Sequence, residues 1–268
     1  MHRRRAVLRH PNPEFLQAAD QKQPVAKTDH RRYYNQVMQR LAIALIFSAA
    51  AFAAAPDEFP TSAGALRITP IQHASLMLQA GGKTMYIDPA QGRYDGLPEA
   101  DYILLTHTHG DHFAPAMIEK LKKPSTVILA PEAVTLAGIT IISNGETKTL
   151  GGFKVEAIPM YNLTASREQF HPKGLGNGYV LTYGGKRIYV SGDTEGIPEM
   201  KALKNIDVAF VCMNLPYTMT PGEAAEAVRA FHPAVVYPYH YMGSDPKAFA
   251  KALEGSGIEV RLRDWYAK

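Results

Sequence analysis

The sequence predicts an α+β fold in which two β-sheets pack face to face with helices on the outside. Short apolar runs bounded by Gly, Asp and Pro recur after Leu66, they fall into two strand-rich halves, and helical segments interrupt each half. The 268 residues, 46% of them hydrophobic, suffice for a substantial core. No linker, repeat or low-complexity stretch follows the leader, so one domain is expected over residues 54–268.

In the first half the strand-like runs are Leu66–Ile71, Ser75–Leu78, Thr84–Ile87, Tyr102–Leu105 and Val127–Ala130. In the second they are Ile139–Ile142, Phe153–Ile158, Tyr179–Tyr183, Arg187–Val190, Val208–Cys212, Val235–Tyr237 and Glu259–Leu262. Gly81-Gly82 and Gly184-Gly185 each join two runs and read as hairpin turns, because glycine accepts the positive φ that tight hairpins demand. Helices are expected at Pro115–Lys122, Pro198–Leu203, Pro221–Phe231 and Pro246–Leu253. The third has the strongest start signal: Thr220-Pro221-Gly222-Glu223 is a capping-box pattern with proline at the first helical position.

Residues 1–55 read differently, with nine basic residues against three acidic ones. The remainder has 20 basic and 22 acidic residues, so the alkaline balance belongs to the leader and no nucleic-acid partner is expected. Leu41 to Ala55 is an apolar run of signal-peptide length that follows Arg40 and ends in small residues. It is short for a bilayer span, so the mature chain is expected to hold no stable transmembrane segment. Cleavage after Ala53 satisfies the small-x-small requirement, making residues 1–53 a basic leader and signal peptide and the destination periplasmic or secreted. A start at Met38 would give a signal peptide of ordinary length. The single cysteine, Cys212, excludes an intrachain disulfide and sits in an apolar run as a buried structural thiol.

The chemistry concentrates in Thr106-His107-Thr108-His109-Gly110-Asp111-His112, directly after the run Tyr102–Leu105. Imidazoles and a carboxylate suit a borderline cation, and four such ligands within six residues at a strand end can serve two adjacent ions. A polar loop whose histidines only hydrogen-bond explains that density less well. Asp193 ends the run Tyr189-Val190-Ser191-Gly192-Asp193, and His240 ends Val235-Val236-Tyr237-Pro238-Tyr239-His240. Their bland readings are a turn aspartate and a satisfied core histidine. His232 ends a helix, where a capping histidine is the ordinary explanation.

His107 to His112 match the His-x-His-x-Asp-His signature, and through it the chain, over about Leu66 to Asp264, resembles the metallo-β-lactamase superfamily. The resemblance implies a four-layer αββα sandwich with two divalent metal ions, zinc first and manganese or iron as alternatives, between the sheet edges. It further implies His107, His109 and His171 on one ion, Asp111, His112 and His240 on the other, and Asp193 bridging them. Where many relatives place the third histidine of the first ion, this chain has Asn162, so either His171 or Asn162 completes that site. His73 and Asp88 resemble positions in the branch containing ascorbate-phosphate lactonases and phospholipase D-like zinc enzymes, where they look like groups standing behind the ligands. Asp88 would hold an imidazole through its remaining N–H.

The function implied is that of a metal-dependent hydrolase, with a water activated by both ions and Asp111 or Asp193 as catalytic proton acceptor. The substrate is a small-molecule or lipid-like ester, lactone or phosphodiester. Residues 162–178 should arch over the ions and choose it, with Arg167 and Lys173 placed to meet an anionic group, and Tyr217 should line the pocket. The alternative is a metal-binding envelope protein of the same fold without turnover, which Asn162 in a ligand position would favour.

Overall fold

The computed structural model describes residues 55–266. The expected leader, its cleavage point and the start at Met38 lie outside the described residues. The first half contains β1 (Asp57–Thr61), β2 (Gly64–Gln72), β3 (Ser75–Ala80), β4 (Lys83–Ile87), β5 (Ala100–Leu104), α1 (Pro115–Leu121), β6 (Lys122–Ala130) and β7 (Ile139–Ile141). The second contains β8 (Thr147–Leu150), β9 (Phe153–Met160), α2 (Ala165–Glu168), β10 (Gly176–Tyr183), β11 (Lys186–Val190), α3 (Pro198–Lys201), β12 (Val208–Cys212), α4 (Pro221–Phe231), β13 (Val235–Tyr239), α5 (Pro246–Ala252) and β14 (Glu259–Val260).

Each half makes one seven-stranded sheet, in the orders β1 to β7 and β14 to β8, so Ile139–Ile141, expected in the second half, is instead the edge strand of the first sheet beside β6. Both follow one plan. Neighbours from β1 to β4 are antiparallel and those from β4 to β7 parallel. Neighbours from β8 to β11 are likewise antiparallel and those from β11 to β14 parallel. The hairpins β3–β4 and β10–β11 close on the two Gly-Gly pairs, with φ of +56° and +71° in the first and +51° and +86° in the second, as mirror-image turns require.

Period-two patterning sets the layers. In β3 and β4, Leu76, Leu78, Met85 and Ile87 face the core shared with Val155, Leu181, Ile188 and Phe210 of the second sheet. The alternate residues Met77, Tyr86, Ile103 and Ile128 face away and pack with Ile118 and Leu121 of α1. The far face of the second sheet is covered by α4, which buries Ala224, Ala225, Ala227, Val228 and Phe231, the spacing of one helical face. Thr220 and Glu223 form the reciprocal capping box at its start. The outcome is the αββα sandwich. Among the described residues no helix is long and apolar enough to cross a membrane.

The structure adds β1, β8 and α2 to the expected elements. Strands β1 and β8 lie at sheet edges and bury only Phe59 and Leu150 respectively, so neither carries an alternating pattern. Strand β6 begins at Lys122, ahead of the apolar run Val127–Ala130, and its first half carries no apolar signal because it is polar and contains Pro124. Strand β14 stops at Val260, after which Arg261 and Arg263 turn to pair with Asp57 of β1.

One ion cluster ties three strands of the first sheet. Asp101 of β5 accepts from Lys83 Nζ at 3.0 Å, Lys123 Nζ at 2.9 Å and the Thr84 N–H at 3.0 Å. Burial opposes its charge, but these donors hold its carboxyl at about 2. A depressed carboxyl stabilises the fold above the unfolded value of about 4 and loses that contribution as pH falls towards 2. Asp101→Asn should therefore cost about 1–2 kcal/mol in urea unfolding at pH 7, and the difference from wild type should shrink below pH 3.

Candidate metal centre

Parallel strands deliver the site, because their carboxyl ends leave side chains and backbone groups unpaired at one rim of each sheet. Asp88 follows β4, His107 to His112 follow β5, Asp193 follows β11, and His240 follows β13. Asp88 and His240 adopt positive φ, +47° each, which turns the chain sharply at the strand end.

Asp88 organises the ligand loop from beneath. It is fully buried, accepts from the Thr106 N–H at 2.7 Å and Thr106 Oγ1 at 2.6 Å, and lies 2.7 Å from His112 Nδ1. That contact commits His112 Nδ1 to the carboxylate and leaves Nε2 facing Asp193 Oδ1, 3.5 Å away. His107 Nε2 lies 3.0 Å from His109 Nδ1, a separation at which two bare lone pairs repel unless a proton or cation lies between. His171 Nε2 and His240 Nε2 each stand 3.4 Å from Asp193 Oδ2. Three buried polar atoms at this centre, His112 Nε2, His171 Nε2 and Asp193 Oδ1, have no hydrogen-bond partner.

Three sets of ligand atoms lie within 4.8 Å of one another: His107, His109 and His171; His73, Asp111 and His240; and His107, His112 and Asp193. These residues fit divalent-cation binding, since nitrogen and carboxylate donors converge and unpaired buried atoms lie among them. The first set matches the expected first ion. His112 and Asp193 stand between the two outer sets. His73, expected behind the ligands, instead brings its Nε2 to 3.0 Å from Asp111 Oδ2, among them.

Asn162 engages the loops around His171 through its amide nitrogen, while its Oδ1 is buried without a hydrogen-bond partner. Its Nδ2 donates to the carbonyls of Arg167 at 2.9 Å and Tyr217 at 2.7 Å and lies 3.2 Å from His171 Nδ1. His171 Nδ1 also faces the Tyr217 carbonyl, which can only accept, at 3.2 Å, so Nδ1 is the donating nitrogen and Nε2 is the one that faces the donor set. Asn162 braces His171 through the backbone, its N–H donating to the His171 carbonyl at 2.9 Å, and through the Tyr217 carbonyl that both side chains share. Asn162→Ala should weaken metal retention about 10- to 100-fold in chelator competition.

Burial moves His107 well below the ordinary histidine range and lowers His109 as well, which keeps both neutral at pH 7. Burial also opposes charge on Asp111 and Asp193. Hydrogen bonds from His240 and His73 nevertheless hold Asp111 far below the usual carboxylate value, and His240 and His112 do the same for Asp193. His112 is itself desolvated, but Asp193 and Asp88 beside it raise it well above the ordinary value; a cation would need it neutral.

A pocket of about 370 Å³ opens over the centre, with Phe170, Tyr217 and Met242 as its apolar walls and Gln91 and Asn214 as polar ones. Tyr217 lines it as expected from its sequence position. Arg167 and Lys173 do not line it. Arg167 Nη1 is held by Glu195 at 2.7 Å and Glu223 at 3.2 Å, and Lys173 Nζ reaches Tyr161 Oη at 3.3 Å and Glu199 at 3.4 Å. Their positive charge, expected at the substrate, is spent on acidic neighbours that are distant in sequence. Phe170, Met242 and Asn214 carry no motif, and only the three-dimensional pocket identifies them.

Residues 67–240 match the family model described as beta-lactamase superfamily domain. A UPF0173 metal-dependent hydrolase of Thermococcus onnurineus is 32% identical over 213 residues, which cover 70% of this chain and 92% of that protein. A crystal structure from Parabacteroides distasonis, assigned as a metal-dependent hydrolase, aligns with a TM-score of 0.76 at 45% identity, over 78% of this chain and 97% of that one. A metallo hydrolase of the archaeon Ignicoccus hospitalis shares the fold at 21% identity, with a TM-score of 0.63 over 74% of this chain and 95% of its own.

Proposed function

The chain belongs to the beta-lactamase superfamily as a metal-dependent hydrolase, and from that premise we propose that it uses two divalent cations to cleave an uncharged ester or lactone with an apolar substituent. The observation that carries the two-ion reading is the convergence of His112 Nε2, His171 Nε2 and Asp193 Oδ1, all buried and none of them hydrogen-bonded. Asp193 lies between the two outer donor sets, where one carboxylate can serve both ions. His107, His109 and His171 would hold one ion, and Asp111, His112 and His240 the other. Zinc is the first choice on the nitrogen-rich donor set, with manganese or iron as alternatives. Bound there, the pair would activate water and polarise the oxygen of the scissile group.

The chain's own groups do the rest. Asp111 is a third exposed and reaches the pocket, so it can accept a proton from water at its carboxylate. Phe170, Tyr217 and Met242 shed water from the bound substrate and favour an apolar group beside the reacting centre. Further exposed hydrophobics, Leu163 and Leu215, lie on the same loops as the pocket walls, adjoining Asn162 and Asn214. Apart from the histidines, none of the residues lining the pocket is basic, which disfavours recognition of a second anionic group on the substrate.

The test is elemental analysis of the purified full chain together with a panel of apolar carboxylic esters, lactones and phosphodiesters, assayed with and without chelator. Two ions per chain and chelator-sensitive cleavage of the uncharged substrates are expected. Preferential cleavage of the phosphodiesters would overturn the substrate class. Two ions with no turnover across the panel would favour the metal-binding protein instead.

A further inference from the structure

The two sheets repeat one strand plan, and the site repeats with it. The aspartate after β4, Asp88, corresponds to the aspartate after β11, Asp193, and the β2–β3 connection corresponds to the β9–β10 connection. His171 comes from the β9–β10 connection and faces the first donor set. His73 comes from the β2–β3 connection and faces the other. Building on the two-ion reading, we infer that His73 supplies a ligand nitrogen to the ion held by Asp111 and His240, so that each ion takes one imidazole from the equivalent connection of one half.

The local geometry supports a ligand more than a passive neighbour. His73 Nε2 and His240 Nε2 lie 3.0 and 3.3 Å from the same oxygen, Asp111 Oδ2, with the two rings in contact at a centroid distance of 3.8 Å. The ring of His73 is 2% exposed, and its backbone is fixed on both sides: its carbonyl accepts from the His240 N–H at 3.1 Å and its N–H donates to the Trp265 carbonyl at 3.3 Å. Gln72 pairs with Ser75, so His73 is the first residue of a two-residue hairpin turn, with φ of +56°. Glycine is the residue such a position favours. A histidine there carries backbone strain, which is compensated where its ring makes an essential contact.

Tyr266 gives that ring freedom to change its proton. Its hydroxyl lies 2.7 Å from His73 Nδ1 and can either donate or accept. Without an ion, the hydroxyl donates to Nδ1 and Nε2–H bonds Asp111. With an ion, Nδ1–H donates to the hydroxyl and the Nε2 lone pair is free to ligate. Tyr266 is therefore a positioning residue for His73.

The experiment strips the full chain of metal, titrates it with Co²⁺, counts bound ions, and locates them by anomalous diffraction in Co²⁺-loaded wild-type crystals. The wild type should take two equivalents, with the second ion about 2.0–2.2 Å from His73 Nε2. His73→Ala should weaken the second equivalent at least about tenfold, and Tyr266→Phe, which keeps the ring, should weaken it less, with the first equivalent unchanged in both. Two ions in the wild type with His73 Nε2 still bonded to Asp111 and away from the metal would overturn the assignment while leaving the two-ion site standing. Fewer than two equivalents in the wild type would overturn the two-ion reading and this assignment with it.

Discussion

Asp193→Ala should abolish useful turnover, lowering kcat/KM on the order of 10³-fold, equal to about 4 kcal/mol, and should reduce bound metal below two per chain. The expectation follows from position. Asp193 faces His112, His171 and His240 at 3.4–3.5 Å, so its carboxylate is the anionic contact common to donors of both proposed ions. Asp193→Asn separates shape from charge. The amide fills the same space but cannot offer two anionic oxygens, so metal loss should persist while the fold, read by near-UV circular dichroism, stays intact. An Asn variant that kept both ions and full activity would remove Asp193 from the bridging role.

Asp88→Ala should produce the largest stability effect. Asp88 is fully buried and its two oxygens satisfy the Thr106 N–H, the Thr106 hydroxyl and His112 Nδ1. Removing it strands those groups in the interior at about 3–5 kcal/mol, measured as a shift of the urea midpoint at constant m-value. His112 would also lose the contact that orients it, with about a 10- to 100-fold loss of metal affinity beyond the stability change. If the metal-free variant unfolded at the same urea concentration as the metal-free wild type, the buried network would be contributing little to the fold.

The sandwich was legible because alternation and turn chemistry are local. The Gly-Gly hairpins, the capping box at Thr220 and the inward runs of β9 to β13 each need only a few consecutive residues. The ligand loop was legible for the same reason, since His107 to His112 lie within one strand-end loop, and that signature also led to the family. What resisted reading depends on neighbours far apart in sequence. The His171 ring is oriented by the Tyr217 carbonyl and its backbone by the Asn162 N–H, and Arg167 is withdrawn from the pocket by Glu195 and Glu223. His73 stands beside Asp111 and His240 because the tail bearing Trp265 and Tyr266 and the end of β13 fold against its turn. Edge strands β1 and β8 escaped because one buried residue makes no periodicity.

The donors are divided between the two sheets. His107, His109, Asp111 and His112 belong to the first half, and His171, Asp193 and His240 to the second. An ion held by both acts as a rivet through one end of the sandwich, while the apolar interface below it needs no ion to stay closed. Stripping the metal should therefore fray this rim without dissolving the core. Amide hydrogen exchange would show it as faster exchange confined to the loops after β5, β11 and β13, with the strands Leu76–Leu78 and Val208–Val211 still protected.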